Sequence, residues 1–120
     1  MKTLLIFFAA LSLTALSAFA ADVTGKWTAS FDTQVGQQNY TYQLKVDGAK
    51  VTGTASSQNG ETELLEGKID GDKITFVENL VYQGMTIRIE YTGTISGDEI
   101  KFSRKVADFA TEELIATRSK

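Results

Sequence analysis

The side chains able to do chemistry in this sequence are few, and they fall at even spacing among apolar neighbours. Glu78 follows Ile74 and Phe76 two by two, Tyr91 follows Ile87 and Ile89, and Arg104 follows Ile100 and Phe102. Tyr40 and Tyr42 lead into Leu44 in the same way, and Glu112 leads into Leu114 and Ala116. In extended chain a period of two puts alternate residues on one face. Two carboxylates, one guanidinium and the phenols are therefore expected to point into one interior, unless the strand parity is reversed and they face water. Buried charges must pair, meet water or meet a ligand. One arrangement is a Glu78–Arg104–Glu112 bridge that plugs the interior while the tyrosines donate hydrogen bonds. Another is a polar anchor beneath an open mouth. There Arg104 would fix a carboxylate, sulfate or sugar hydroxyl, and Tyr40, Tyr42 and Tyr91 would line the ligand site with Glu78 and Glu112. A third is an acid and base, Glu78 and Glu112, acting on a glycoside as a hydrolase or lyase.

Catalysis is the weakest of these expectations. His and Cys are both absent, which removes histidine-based nucleophilic catalysis, histidine metal sites and disulfides. Carboxylates beside an arginine are expected to have depressed pKa values, which disfavours the acid role. No nucleophile motif or phosphate loop occurs. Asp70-Gly71-Asp72 fits a turn better than a calcium loop. No cofactor or metal is expected. The net charge is −3 and the charges are mixed along the chain, which argues against nucleic acid as a partner.

The elements that must hold these residues read as strands throughout. Period-two segments run over about Gly25–Thr33, Asn39–Val46, Lys50–Ser57, Glu61–Ile69, Lys73–Leu80, Met85–Ile95, Glu99–Val106 and Ala110–Arg118, with no sustained helical period between them. Val46-Asp47-Gly48-Ala49-Lys50-Val51, Ile69-Asp70-Gly71-Asp72-Lys73-Ile74 and Ile95-Ser96-Gly97-Asp98-Glu99-Ile100 share one hairpin pattern, with Gly supplying a positive φ. Around Gln58-Asn59-Gly60 a two-residue Asn-Gly loop would turn Leu64 and Glu66 inward. A three-residue loop with Gly60 left-handed would turn Glu63, Leu65, Gly67 and Ile69 inward, and is preferred because it agrees with the Ile69–Ile74 hairpin. About eight strands with short connections make an all-β, antiparallel up-and-down meander that closes into a barrel and removes its own edges. A flattened two-sheet sandwich is the alternative.

A meander also assigns heights. Val46, Val51, Ile69, Ile74, Ile95 and Ile100 form an apolar floor at the Asp-Gly end. Leu44, Gly53, Gly67, Phe76, Gly93 and Phe102 come next, the glycines making room for Phe76 and Phe102. The charged rung with Phe31, Ala55 and Leu65 lies above. The mouth is built from Thr33–Gln38, Ser57–Gly60, Leu80–Gly84 and Lys105–Phe109, rich in amides and tyrosines. Leu80-Val81-Tyr82 is a candidate flap. Leu64, Val77 and Val81 are expected outside, as a possible homodimer patch.

Closure brings the last strand beside the first, where Arg118 can lie across the indole of Trp27, two residues after Gly25. This Gly25-x-Trp27 with a final-strand Arg118 resembles the signature of the calycin barrels: lipocalins, avidins and fatty-acid-binding proteins. The chain is shorter than a lipocalin, lacks its C-terminal helix, and lacks the helical lid of the fatty-acid binders. It is most similar to short secreted bacterial lipocalin-like domains of unknown function. The resemblance implies a ligand held inside a barrel; the remaining alternative is an accessory protein with a filled barrel and an outer partner-binding face. Met1-Lys2, the apolar run Leu4–Leu16 and Ala18-Phe19-Ala20 read as a secretory signal peptide over residues 1–20. Residues 21–120 would then be one exported domain, secreted or periplasmic, with a charge of about −4 and no membrane anchor after cleavage.

Overall fold

Three glycines set the hairpins at one end. Asp47 pairs with Lys50, Asp70 with Lys73 and Ser96 with Glu99, leaving two-residue loops that begin at Gly48, Gly71 and Gly97. Their φ angles are 64°, 61° and 61°, values that match the right-handed twist of the flanking strands and that other residues reach only under strain. The computed structural model describes residues 22–119. They form β1 (Gly25–Thr33), β2 (Gly36–Asp47), β3 (Lys50–Ser57), β4 (Gly60–Asp70), β5 (Lys73–Tyr82), β6 (Met85–Ser96), β7 (Glu99–Val106) and β8 (Ala110–Arg118). Each strand pairs with the next, and β8 pairs with β1, so the eight antiparallel strands close an up-and-down barrel. The expected signal peptide lies outside the described residues.

Closure is a short seam secured from both sides. Trp27 pairs with Arg118 and Thr28 with Thr117. The Trp27 side chain is fully buried, and its indole nitrogen donates to the Val23 carbonyl at 2.9 Å. The Arg118 guanidinium lies 4.5 Å from the indole centroid. Its nitrogens donate to the Thr24 and Asp22 carbonyls and to Asp98. The cation thus covers the ring and ties down the segment before β1. Gly25 has a φ of 137°, the left-handed half of backbone space. The Gly25-x-Trp27 and Arg118 relation expected from the sequence is therefore present.

The lower interior follows the expected rungs, and four aromatic rings fill it. Tyr42, Phe76, Tyr91 and Phe102 have centroids between 4.6 and 6.1 Å apart. The glycines of that rung divide in role. A β-carbon on Gly93 would come within 2.7 Å of the Phe102 ring, so Gly93 does make room for an aromatic. At Gly53 and Gly67 it would meet the Gln43 and Val51 carbonyls instead. Those two glycines let backbones approach, not rings fit.

One strand departs from the expected parity. Ser57 pairs with Gly60, so the β3–β4 loop is the two residues Gln58 and Asn59. Leu64 then points inward, 4% exposed, and Leu65 sits outside opposite Val77. Between Leu65 and Lys68 the register shifts, with Glu66 at a φ of 54°. A bulge adds one residue to one strand and so exchanges its faces. Gly67 and Ile69 return inside below it. The expected three-residue loop is therefore not formed: Gly67 and Ile69 are inward as expected, but through the bulge, and Glu63 and Leu65 are not. The correction also dissolves the outer patch of Leu64, Val77 and Val81. Leu64 is interior. Val77 is buried on the outer face, where Arg88 bridges Glu66 and Glu90 at 2.9 and 3.2 Å. Only Val81 stays exposed.

Because Phe102 has no free space beside Gly93, Gly93→Ala is expected to destabilise the protein by about 1–3 kcal/mol in denaturant melts. Adding Phe102→Leu should recover part of that loss. Undiminished stability in the single variant would contradict the packing.

Candidate functional site

Strand alternation delivers the site. On β2 the inward positions are Gln38, Tyr40, Tyr42 and Leu44; β5 contributes Glu78, β6 Tyr91, β7 Arg104 and β8 Glu112. Tyr91 is cross-strand partner to Arg104, and Arg104 to Glu112. Glu78, Arg104, Tyr42 and Tyr91 are all at most 3% exposed.

Two phenols bridge the buried charges. Arg104 Nε donates to the Tyr91 hydroxyl at 2.8 Å, which donates to Glu78 Oε1 at 2.9 Å. Arg104 Nη2 donates to the Tyr40 hydroxyl at 3.0 Å, which donates to Glu78 Oε2 at 3.1 Å. The direct approach of Arg104 to Glu78 is only 3.9 Å, too long for a hydrogen bond. With its proton committed to Glu78, Tyr91 accepts from the Tyr42 hydroxyl at 2.9 Å. Arg104 Nη1 completes the set by donating to Glu112 Oε1. The guanidinium lies 5.1 to 5.7 Å from the ring centroids of Phe31, Tyr40 and Tyr91, within cation–π range.

Burial governs how these groups titrate. It pushes the Tyr40 phenol up to about 12, aided by the nearby Glu78. It raises Tyr42 and Tyr91 as well, so all three phenols stay protonated and able to donate. Burial works against the Arg104 cation, but the surrounding Tyr91, Tyr40 and Glu112 oxygens outweigh it and its pKa rises. Glu78 is raised too, because burial exceeds the pull of Arg104, Tyr91 and Tyr40. The expectation of a depressed carboxylate beside arginine therefore fails at Glu78. The cation stands at long range and is shared with Glu112.

Above this network the barrel is open. A cavity of about 250 Å³ is lined by apolar side chains, including Leu80, Ile87, Ile89, Val106 and Phe109, and by Gln38, Tyr40, Arg104 and Glu112 at its inner end. Of the six expected ligand-site residues, Tyr40, Arg104 and Glu112 reach the cavity. Tyr42, Glu78 and Tyr91 lie in the layer below and are not part of its lining. The four expected mouth segments all contribute, through residues such as Val35, Asn59, Gln83 and Phe109. Leu80-Val81-Tyr82 is strand, not flap: Leu80 and Tyr82 line the cavity and Val81 points out. Gln38 was expected in a loop but is an inward β2 residue, 6% exposed, and its Oε1 has no hydrogen-bond partner. Extending the Tyr40–Tyr42–Leu44 alternation one step back would have found it. No cluster of three or more acidic residues that would hold a metal ion occurs among the described residues.

The raised Glu78 value has a definite sign. A carboxyl whose folded-state pKa exceeds the ordinary 4.5 contributes stability below that value and loses it as pH rises through the raised one. Wild type is expected to lose stability relative to Glu78→Gln as urea melts are repeated from about pH 4 to about pH 8. A wild type that gains on the variant over that window would contradict the assignment.

The closed eight-stranded barrel agrees with a calycin-like architecture. Compared with protein-family models, curated proteins and solved structures, the chain matches none.

Proposed function

We propose that this barrel binds a small amphipathic molecule without transforming it, with the apolar body in the mouth and the polar end against Gln38, Tyr40, Arg104 and Glu112. The observation that carries this reading is the cavity itself, an apolar recess of about 250 Å³ ending on a polar floor. Ligand pockets usually hold roughly 300–1,000 Å³ and combine an apolar lining with a few polar groups. The volume here suits a small molecule or the inner part of one that emerges through the mouth. The apolar wall continues to the rim, where Val35, Met85 and Phe109 line the cavity and are about 60% exposed. Large apolar side chains grouped round an opening are more often binding surface than scattered exposure.

The placement of Glu78 weighs against the acid–base alternative. Both carboxylates of such a pair must reach the substrate, and Glu78 is sealed in the layer below the cavity at 1% exposure. The filled-barrel alternative fits the lower half, where aromatic rings occupy the interior, but not the open upper half.

Titrating labelled protein with 1-hexanol while following methyl resonances tests the reading. Saturable shifts at Ile87, Ile89 and Val106 are expected, and Ala110→Trp, which fills the cavity, should weaken them roughly tenfold or more. Shifts confined to outward residues, or equal binding by the filled variant, would overturn it.

A further inference from the structure

The inner end of the cavity has a particular hydrogen-bonding character. Its only charged lining residues are Arg104 and Glu112. All three Arg104 nitrogens are engaged, by Tyr91, Glu112 and Tyr40, through three of the five N–H groups of the guanidinium. Around that one cation stand two carboxylates, Glu78 and Glu112. With Glu78 ionised the cluster carries a net negative charge, and with Glu78 protonated it is neutral. In neither state does it hold spare positive charge for an anion. A carboxylate, sulfate or phosphate entering here would also meet the Glu112 side chain.

Two acceptor oxygens at this end are unmet. Gln38 Oε1 is buried in the cavity wall without a partner. Glu112 receives Arg104 through Oε1 alone, and its Oε2 takes no protein donor among the described residues. A buried acceptor left without a donor costs about 1–3 kcal/mol. The terminal torsion of a glutamine side chain is soft, so the Gln38 amide can turn toward a bound group at small cost.

From these two observations we infer that the inner end of the ligand is a hydrogen-bond donor, neutral or cationic, such as a hydroxyl, amide or ammonium, and not an anionic group. The inference rests on the cavity being a binding site and specifies its chemistry. It replaces the simpler expectation that Arg104 would fix a carboxylate or sulfate. Arg104 is instead a wall residue whose charge is already spent inside the protein.

Four straight-chain probes test it on the wild-type protein by calorimetric or NMR titration near neutral pH: 1-hexanol, hexylamine, hexanoate and 1-methoxypentane. The last is an isomer of hexanol without a donor. Hexanol and hexylamine are expected to bind roughly tenfold more tightly than the ether or the carboxylate, the scale set by one buried acceptor gaining its partner. Gln38→Leu should reduce the advantage of hexanol over the ether. Hexanoate binding as tightly as hexanol, or the ether matching the alcohol, would overturn the inference while leaving the cavity a binding site. Saturable binding by none of the four would overturn the binding reading and this inference with it.

Discussion

The structure depends on how one guanidinium is kept inside a barrel. Arg104 is 3% exposed, and an isolated buried cation would cost far more than a small domain can supply. A direct hydrogen bond to Glu78 is not the solution found, because the two groups stay 3.9 Å apart. Tyr40 and Tyr91 stand between them, each accepting from the arginine and donating to the carboxylate. The phenols act as fixed solvent. They replace water at both charges, and their rings, with Phe31, supply cation–π contact. The network then divides the interior. Below it four aromatic rings pack together, and above it lies the cavity.

Arg104 and Arg118 do opposite work in the barrel. Arg118 lies near the surface and covers Trp27 where first and last strands meet, holding the segment before β1 through carbonyl contacts. Cation, indole and backbone carbonyls there need no buried countercharge. Arg104 is held inside, and each of its partners comes from a different strand: Tyr40 from β2, Glu78 from β5, Tyr91 from β6 and Glu112 from β8. Such a network tolerates one register only, because a one-residue slip of any contributing strand would turn its partner outward. Closure of the seam and satisfaction of the interior charge therefore enforce each other.

Most of this was legible in the sequence because a strand has one simple period. Seven of the strands kept the parity that alternation assigned, and the Asp-Gly and Ser-Gly hairpins fixed it at one end. The charged rung, the Trp27–Arg118 stack and the mouth loops all followed. Two of the three failures are things that alternation cannot register, and the third is an alternation stopped one step short. The bulge at Glu66 exchanged the faces of β4 within a single strand, and no residue type there announces a positive φ. Gln38 was assigned to a loop because its amide looks like loop chemistry, although the strand runs on through it. The direction of the Glu78 shift was misread because sequence shows the neighbouring charge but not the depth of burial or the distance to it. The bulge and the Glu78 shift turn on three-dimensional closeness, whereas Gln38 lay within reach of the pattern.

The claim at the centre is that Arg104 and Glu78 act as one unit through the two phenols. A double-mutant cycle with Arg104→Met and Glu78→Gln, read as unfolding free energy in urea near neutral pH, measures this directly. The expected result is a combined loss smaller than the sum of the single losses by at least about 1 kcal/mol, the mark of groups sharing one network. Losses that add to within about 0.5 kcal/mol would show two independent side chains and contradict it.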